Sequence, residues 1–203
     1  MSIAGEKKIL IADDHMVVCR GIEAMVKPAF ENPTFFHVNT MAQLLAELSN
    51  TSYDALLLDV NYTDANLTDT IALVKEKAPE SKIFVFTSGL SFKEFNIIKK
   101  YANAILTKQS EADTFVATID DVFQNGKFVC SPLNEEKVQK LESLTERELD
   151  ILECMLDGMG NKEMVYHLDI KESTISTLRK RILEKLDLTN NVELLNYFTE
   201  SVI

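Results

Sequence analysis

The sequence predicts an α/β chain: a doubly wound, five-stranded parallel sheet followed by a small all-α unit of four helices. Three observations carry this. Short apolar runs alternate with helical-period segments five times in about 125 residues, the pattern of a parallel sheet covered by helices. The run Tyr53-Asp54-Ala55-Leu56-Leu57-Leu58-Asp59 is apolar without alternation in its middle, as in a strand buried on both faces. Beyond Thr145 the strand-like runs stop and apolar residues recur only at helical spacing.

The first strand is Lys8-Ile9-Leu10-Ile11-Ala12, ended by Asp13-Asp14. A helix from Val17 to about Phe30 follows, with Val18, Ile22, Met25, Val26 and Ala29 on one face. Phe35–Val38 is the second strand. Thr40-Met41-Ala42-Gln43 has the form of a capping box and opens a helix. The third strand ends at Asp59, and a polar loop, 61–66, leads to a helix that stops near Ala78-Pro79. Ile83–Phe86 is the fourth strand, a helix covers about 92–101, and Ala104-Ile105-Leu106 is the fifth strand. A last helix, about 111–125, has Gly126 as its C-cap. A flavodoxin-like strand order is chosen among the doubly wound options.

Composition sets bounds. Of 203 residues, 46% are apolar and 26% charged, as in soluble globular chains. No apolar run approaches the roughly 18 residues of a membrane span. The first apolar stretch is too short for a signal-peptide core, so a cytoplasmic protein is expected. Cys19, Cys130 and Cys154 show no metal spacing and read as reduced thiols. A net charge of −11 argues against indiscriminate nucleic-acid or membrane binding.

In a parallel sheet the strand ends face one crevice. Here they carry Asp13-Asp14, Asp59, Thr87 and Lys108. Singly these are an N-cap acid pair, a turn residue and a solvated charge; jointly they make a site. Three crowded carboxylates repel unless a cation is present. A hard divalent ion such as Mg²⁺ resolves that, while Lys108 and Thr87 add a point charge and a hydroxyl donor. A carboxylate nucleophile with these neighbours suits phosphoryl transfer. His15, His37 and His167 lack partners at ligand spacing and read as structural or solvated.

On these positions residues 7–125 resemble a response-regulator receiver domain. The resemblance implies that Asp59 accepts a phosphoryl group from a histidine kinase. It also implies that Asp13, Asp14, Asp59 and the backbone carbonyl of Asn61 hold Mg²⁺, that Thr87 follows the phosphoryl group and that Lys108 pairs with it. The sequence departs from the family in three places, one being a glycine usual further along the loop after Asp59, which is missing and leaves that loop one residue short. Thr63 stands where a proline is usual in the loop after Asp59. Ile105 occupies the switch position that normally carries an aromatic, so ring rotation cannot report phosphorylation.

Residues 127–142, with Pro132 and a charge run, read as a linker between a domain at 1–126 and a second at 143–203. Thr145-Glu146-Arg147-Glu148 is a capping box, Gly158 and Gly160 break the helix it opens, and Asn161 caps the next. A third helix, about 173–186, puts Ile175, Leu178, Ile182, Leu183 and Leu186 on one stripe and Ser173, Ser176, Thr177, Lys180, Arg181 and Glu184 on the opposite arc. Short hydroxyls followed by cations suit a major groove, and Arg179 at the stripe's edge can snorkel toward phosphate. A fourth helix opens at Asn190-Asn191.

Residues 144–195 resemble the LuxR-type helix-turn-helix of the NarL/FixJ regulators. Leu144-Thr145-Glu146-Arg147-Glu148, Gly158, Asn161-Lys162-Glu163, Thr174-Ile175, Arg181-Ile182 and Lys185-Leu186 carry the match. The resemblance implies double-stranded DNA as partner, with Ser176, Thr177, Lys180 and Arg181 reading it and Lys162 on phosphate. It also implies a homodimer through Val192, Leu195 and Asn196. The cations common in this recognition helix are partly replaced, and residues 141–203 carry 7 Lys+Arg against 13 Asp+Glu. Paired half-sites are therefore expected to be needed for useful affinity. The leading reading is a phosphorylation-controlled transcription factor. Its alternatives are an adaptor or phosphorylation-independent DNA binder, and an aspartyl-phosphate phosphatase, for which Asn61 stands where a second acid is needed.

Overall fold

A computed structural model describes residues 3–126, 128–131 and 135–199. The chain divides into two compact units, residues 1–89 with 94–132 and residues 90–93 with 133–203.

The first unit alternates β1 (Ile3–Ala12), α1 (Met16–Val26), β2 (Phe30–Val38), α2 (Met41–Leu48), β3 (Ala55–Asp59), α3 (Leu67–Lys77), β4 (Lys82–Thr87), α4 (Phe92–Lys99), β5 (Ala104–Thr107), α5 (Ala112–Asn125) and β6 (Val129–Ser131). The sheet order is β2-β1-β3-β4-β5-β6, with every neighbouring pair parallel. The first five strands follow the expected order, but the sheet has six strands rather than five. β6 adds to the β5 edge through Ala104↔Val129 and Leu106↔Ser131. Three residues are too few for a periodicity signal. The segment expected as a linker thus supplies a strand and, further on, a helix.

Two other strands are longer than their apolar runs. β1 starts at Ile3, where Gly5 takes φ +84 at a register shift between Ile3 and Glu6. That left-handed conformation is open to glycine. β2 starts at Phe30 and runs through the polar Glu31–Thr34, an outer strand of the kind that tolerates a proline such as Pro33. α1 stops at Val26 because Pro28 follows, leaving a 3₁₀ turn over Lys27–Ala29. Gly126 ends α5 in the left-handed region, φ +66, as expected. Thr40 caps α2 by accepting from the Gln43 N–H, but Gln43 reaches back to Asn39 rather than to Thr40.

All of β3 is buried. Leu57 joins Ile9, Ile11, Phe84, Phe86 and Leu106 against Cys19, Ile22 and Val26 of α1 and Phe115, Ile119 and Val122 of α5. Leu56, Leu58, Val85 and Ile105 alternate to the other face and are equally buried. Each such side chain removed from water contributes roughly 1.5–3 kcal/mol, so the strand ends rest on a rigid base.

The second unit contains α6 (Glu135–Glu142), α7 (Glu146–Leu156), α8 (Asn161–Leu168), α9 (Glu172–Leu186) and α10 (Asn191–Thr199). Ile151, Leu152, Met164, Ile175, Ile182, Leu186 and Leu194 form its buried centre. The α7 capping box is complete: Glu148 N–H donates to Thr145 Oγ1 at 3.3 Å and Thr145 N–H to Glu148 Oε2 at 2.8 Å. The Glu148 carboxylate is buried and accepts from Lys185 Nζ at 2.7 Å, tying α7 to α9. α8 is capped by Gly160, not Asn161: Glu163 Oε2 accepts the Gly160 N–H at 2.7 Å, which puts Asn161 inside the helix. α8 turns into α9 through Asp169, φ +51, a left-handed position that Asp tolerates.

Candidate phosphoryl-acceptor pocket and recognition helix

Neighbouring strands bring the expected pocket residues together. β1 and β3 pair with Ala12 opposite Leu58, so Asp13 and Asp59 leave adjacent strands at one level. β4 and β5 pair with Thr87 opposite Thr107, and the Lys108 N–H donates to the Thr87 carbonyl at 2.8 Å. Lys108 Nζ bridges the carboxylates, 2.7 Å from Asp13 Oδ2 and 3.0 Å from Asp59 Oδ2. Asp13 and Asp59 are both buried.

The charges set the titration. Burial raises the Asp59 pKa, the Lys108 ammonium opposes the rise, and Asp13 adds to it. Burial pulls on Lys108 in the other direction, but Asp13 and Asp59 outweigh it and hold its pKa above the usual lysine value.

Asp14 is half-exposed and pairs with an unexpected partner. His15 Nδ1 lies 2.6 Å from Asp14 Oδ1 and 3.5 Å from Asp13 Oδ1. His15 therefore has partners, contrary to the reading from spacing. Ligand atoms of Asp13, Asp14 and His15 all fall within 4.8 Å of one another, close enough to converge on one cation. This oxygen-rich set, with the buried charge of Asp59 beside it, fits a hard divalent ion. His37 Nε2 lies 3.0 Å from Glu23 Oε2, an ion-pair contact when the imidazole is protonated but without hydrogen-bond geometry. Adjacency on β2 and α1, not sequence spacing, makes that contact.

Thr87 is buried, and its hydroxyl donates to the Gly89 carbonyl at 2.7 Å and accepts the Gly89 N–H at 3.1 Å. Ile105 is fully buried in β5. Asn61 is exposed at the end of β3, its Oδ1 accepting from Asn66 Nδ2 at 3.1 Å across an antiparallel bridge.

Two further side chains hold the loop after β3. Tyr62 is buried, and its hydroxyl donates to the Ala12 carbonyl at 3.1 Å. Burial, then the charges of Asp59 and Asp13, push its pKa well above the usual tyrosine value. Asp64 accepts the Met41 and Ala42 N–H groups at 2.9 and 3.0 Å, anchoring the loop to the start of α2. The sequence reading missed both; the only signal was one aromatic in an otherwise polar loop.

On α9, Ser173, Ser176, Thr177, Lys180 and Arg181 are exposed, as is Lys162 on α8. The Arg179 guanidinium is half-buried on the Asn161 side-chain oxygen, so it joins α9 to α8. Thr177 Oγ1 donates to the Ser173 carbonyl at 2.9 Å, and Lys180 lies 3.6 Å from Glu184. Val192, Leu195 and Asn196 are exposed on α10.

A parallel-sheet unit with an acidic, lysine-bridged crevice, followed by a helix-turn-helix, defines a class of two-part signalling proteins. Family models agree: the response regulator receiver domain matches residues 9–120, and the luxR family of bacterial regulatory proteins matches residues 142–198. The chain belongs to the response regulators of the NarL/FixJ type, a receiver joined to a LuxR-type helix-turn-helix. It is 25% identical over 192 residues to a nitrate/nitrite response regulator protein homolog of Haemophilus influenzae, covering 91% of this chain and 92% of that one. Over 197 residues it is 26% identical to the nitrate/nitrite response regulator NarL of Escherichia coli, covering 91% of each. A structure of two RcsB dimers bound to two parallel DNAs has the same fold, with a TM-score of 0.63 at 22% identity over 96% of this chain and 98% of the other. No helix among the described residues is long and apolar enough to cross a membrane.

Proposed function

We propose that a histidine kinase phosphorylates this regulator on Asp59 and that the modification controls DNA binding and transcription in the cytoplasm. The observation that carries the reading is the Lys108 bridge between Asp13 and Asp59 at the ends of adjacent parallel strands. An Asp59 oxygen forms the new P–O bond as the donor's P–N bond breaks, and the product is an acyl phosphate. Lys108, already 3.0 Å from the acceptor, faces the charge of the transferring group. Thr87 exchanges its Gly89 contacts for a phosphoryl oxygen. Asp13, Asp14, Asp59 and the Asn61 carbonyl hold Mg²⁺, which supplies charge neutralisation at the transferring group. The protein is not a turnover enzyme beyond slow loss of its own phosphoryl group.

The output reading places Ser173, Ser176, Thr177, Lys180 and Arg181 in a major groove, Lys162 on phosphate, and Val192, Leu195 and Asn196 between two copies. Arg179 sets the angle between α8 and α9 through Asn161, and any phosphate contact it makes is made from that tether. Functionally, residues 1–126 receive the signal and 143–203 deliver it.

A gel shift on the chain's own upstream DNA, with and without acetyl phosphate and Mg²⁺, tests this. The expected result is roughly tenfold tighter binding on phosphorylation, within the usual range of allosteric coupling, and no response in Asp59→Asn. Equal binding in all arms would leave a constitutive DNA binder.

A further inference from the structure

Resting on the phosphoryl-acceptor reading, we propose that Tyr62 is a positioning residue. Its hydroxyl ties the ends of β1 and β3 together and so sets the geometry in which Asp13, Asp14, Asp59 and the Asn61 carbonyl receive the divalent ion.

The tie is local and specific. Tyr62 is three residues beyond Asp59, yet its hydroxyl donates to the carbonyl of Ala12, the residue before Asp13, at 3.1 Å. One buried phenol, carried by the loop that follows Asp59, therefore holds the backbone next to Asp13. Its own backbone is folded inward by Tyr62 N–H to Ala65 carbonyl at 2.9 Å, and Leu67 N–H to Val60 carbonyl at 2.7 Å closes the turn. Asp64 pins the far side of the loop to α2. Asn61 lies between the β3 end and the Tyr62 anchor, so the direction of its carbonyl follows from them. Thr63 gives this loop none of the φ restriction of a proline. Side-chain anchoring takes that place here, and removing the buried hydroxyl leaves its backbone partner at Ala12 without this bond.

Tyr62→Phe keeps the ring and removes the tie. Tyr53→Phe is the control: it removes a hydroxyl that bonds Glu47 at 2.6 Å, before β3 begins and away from the pocket. Mg²⁺ titrations of the full-length chain by calorimetry, well below the melting temperature, should show affinity about tenfold weaker in Tyr62→Phe, as for other outer partners of metal ligands, and unchanged in Tyr53→Phe. In acetyl phosphate labelling the half-saturating Mg²⁺ concentration should rise while the rate at saturating Mg²⁺ stays near wild type, a split that general loosening does not produce. Wild-type Mg²⁺ affinity in Tyr62→Phe, or equal weakening in both variants, overturns the proposal. If wild-type protein binds neither Mg²⁺ nor beryllofluoride, the phosphoryl-acceptor reading itself fails, and this inference with it.

Discussion

The acidic pocket and the recognition helix carry the two ends of the proposed signal, and they are built in opposite ways. Pocket side chains are held within their own unit: Lys108 spans two carboxylates, Thr87 is folded onto the nearby Gly89, and Tyr62 reaches across to β1. On α9 the outward residues Ser173, Ser176, Lys180 and Arg181 are exposed; of these, Ser176 accepts one long contact from Asn161 Nδ2 of α8 at 3.4 Å, and the edge residue Arg179 is held on the same asparagine. The contrast teaches that reactivity is pre-set by packing, whereas recognition is left to side chains that find partners on another molecule. Substitutions in the pocket should therefore change stability and chemistry together, and substitutions on the α9 face should change binding alone.

The largest effect that would sharpen this contrast is in Lys108→Ala. Removing the ammonium leaves Asp13 and Asp59 buried without it. Breaking a fully buried pair costs about 3–5 kcal/mol. Because the Lys108 side chain keeps 23% of its exposure, about 2–3 kcal/mol is expected after solvent screening. Urea midpoints at constant m-value would read it, and Mg²⁺ should restore more stability to this variant than to wild type.

Next come Lys180→Ala and Arg181→Ala, each expected to weaken specific DNA binding by about 1–2 kcal/mol with no shift in the urea midpoint. Lys162→Ala should weaken all duplexes alike and lower the salt slope by about 1. A drop in folding stability for any of the three would break the contrast.

Smaller again is Thr145→Ala, which removes the α7 cap and should cost about 1 kcal/mol. Glu148 would keep Lys185 and lose the Thr145 hydroxyl.

The smallest effect is a slope in pH. The raised Asp59 pKa means that the folded state keeps this proton longer than the unfolded chain does. In the absence of divalent ion, stability should therefore fall as pH rises from the ordinary aspartate range through the raised value. Lys108 gives a slope of the same sign in another range: its stabilisation is present at neutral pH and is lost only as pH rises through its raised value in the alkaline range. Urea titrations should show the acidic-side decline in wild type and not in Asp59→Asn, with saturating Mg²⁺ suppressing it.

Much of this molecule was legible in its residues, for reasons that differ between elements. β3 could be read because a strand buried on both faces needs an unbroken apolar run, and Ala55–Leu58 has one. The α7 cap could be read because Thr145 and Glu148 satisfy each other within a single turn. β6 could not, since three residues have no period and their pairing with β5 depends on a distant edge. The polar half of β2 was hidden because an outer strand tolerates Glu31 to Thr34, including a proline. His15 and His37 were read as partnerless because their carboxylates come from turn geometry and from a neighbouring helix.

By itself the sequence determined the alternation of strands and helices, the positions of Asp13, Asp14, Asp59, Thr87 and Lys108 at strand ends, and the amphipathic stripe of α9. These are properties of local period and of which residue ends each run. Tertiary structure alone decided that Lys108 bridges Asp13 and Asp59, that Arg179 faces Asn161 and that Tyr62 joins β1 to β3. Those contacts link residues 18 to 95 positions apart in the chain. Their partners are chosen by strand order and side-chain direction, which no local pattern encodes.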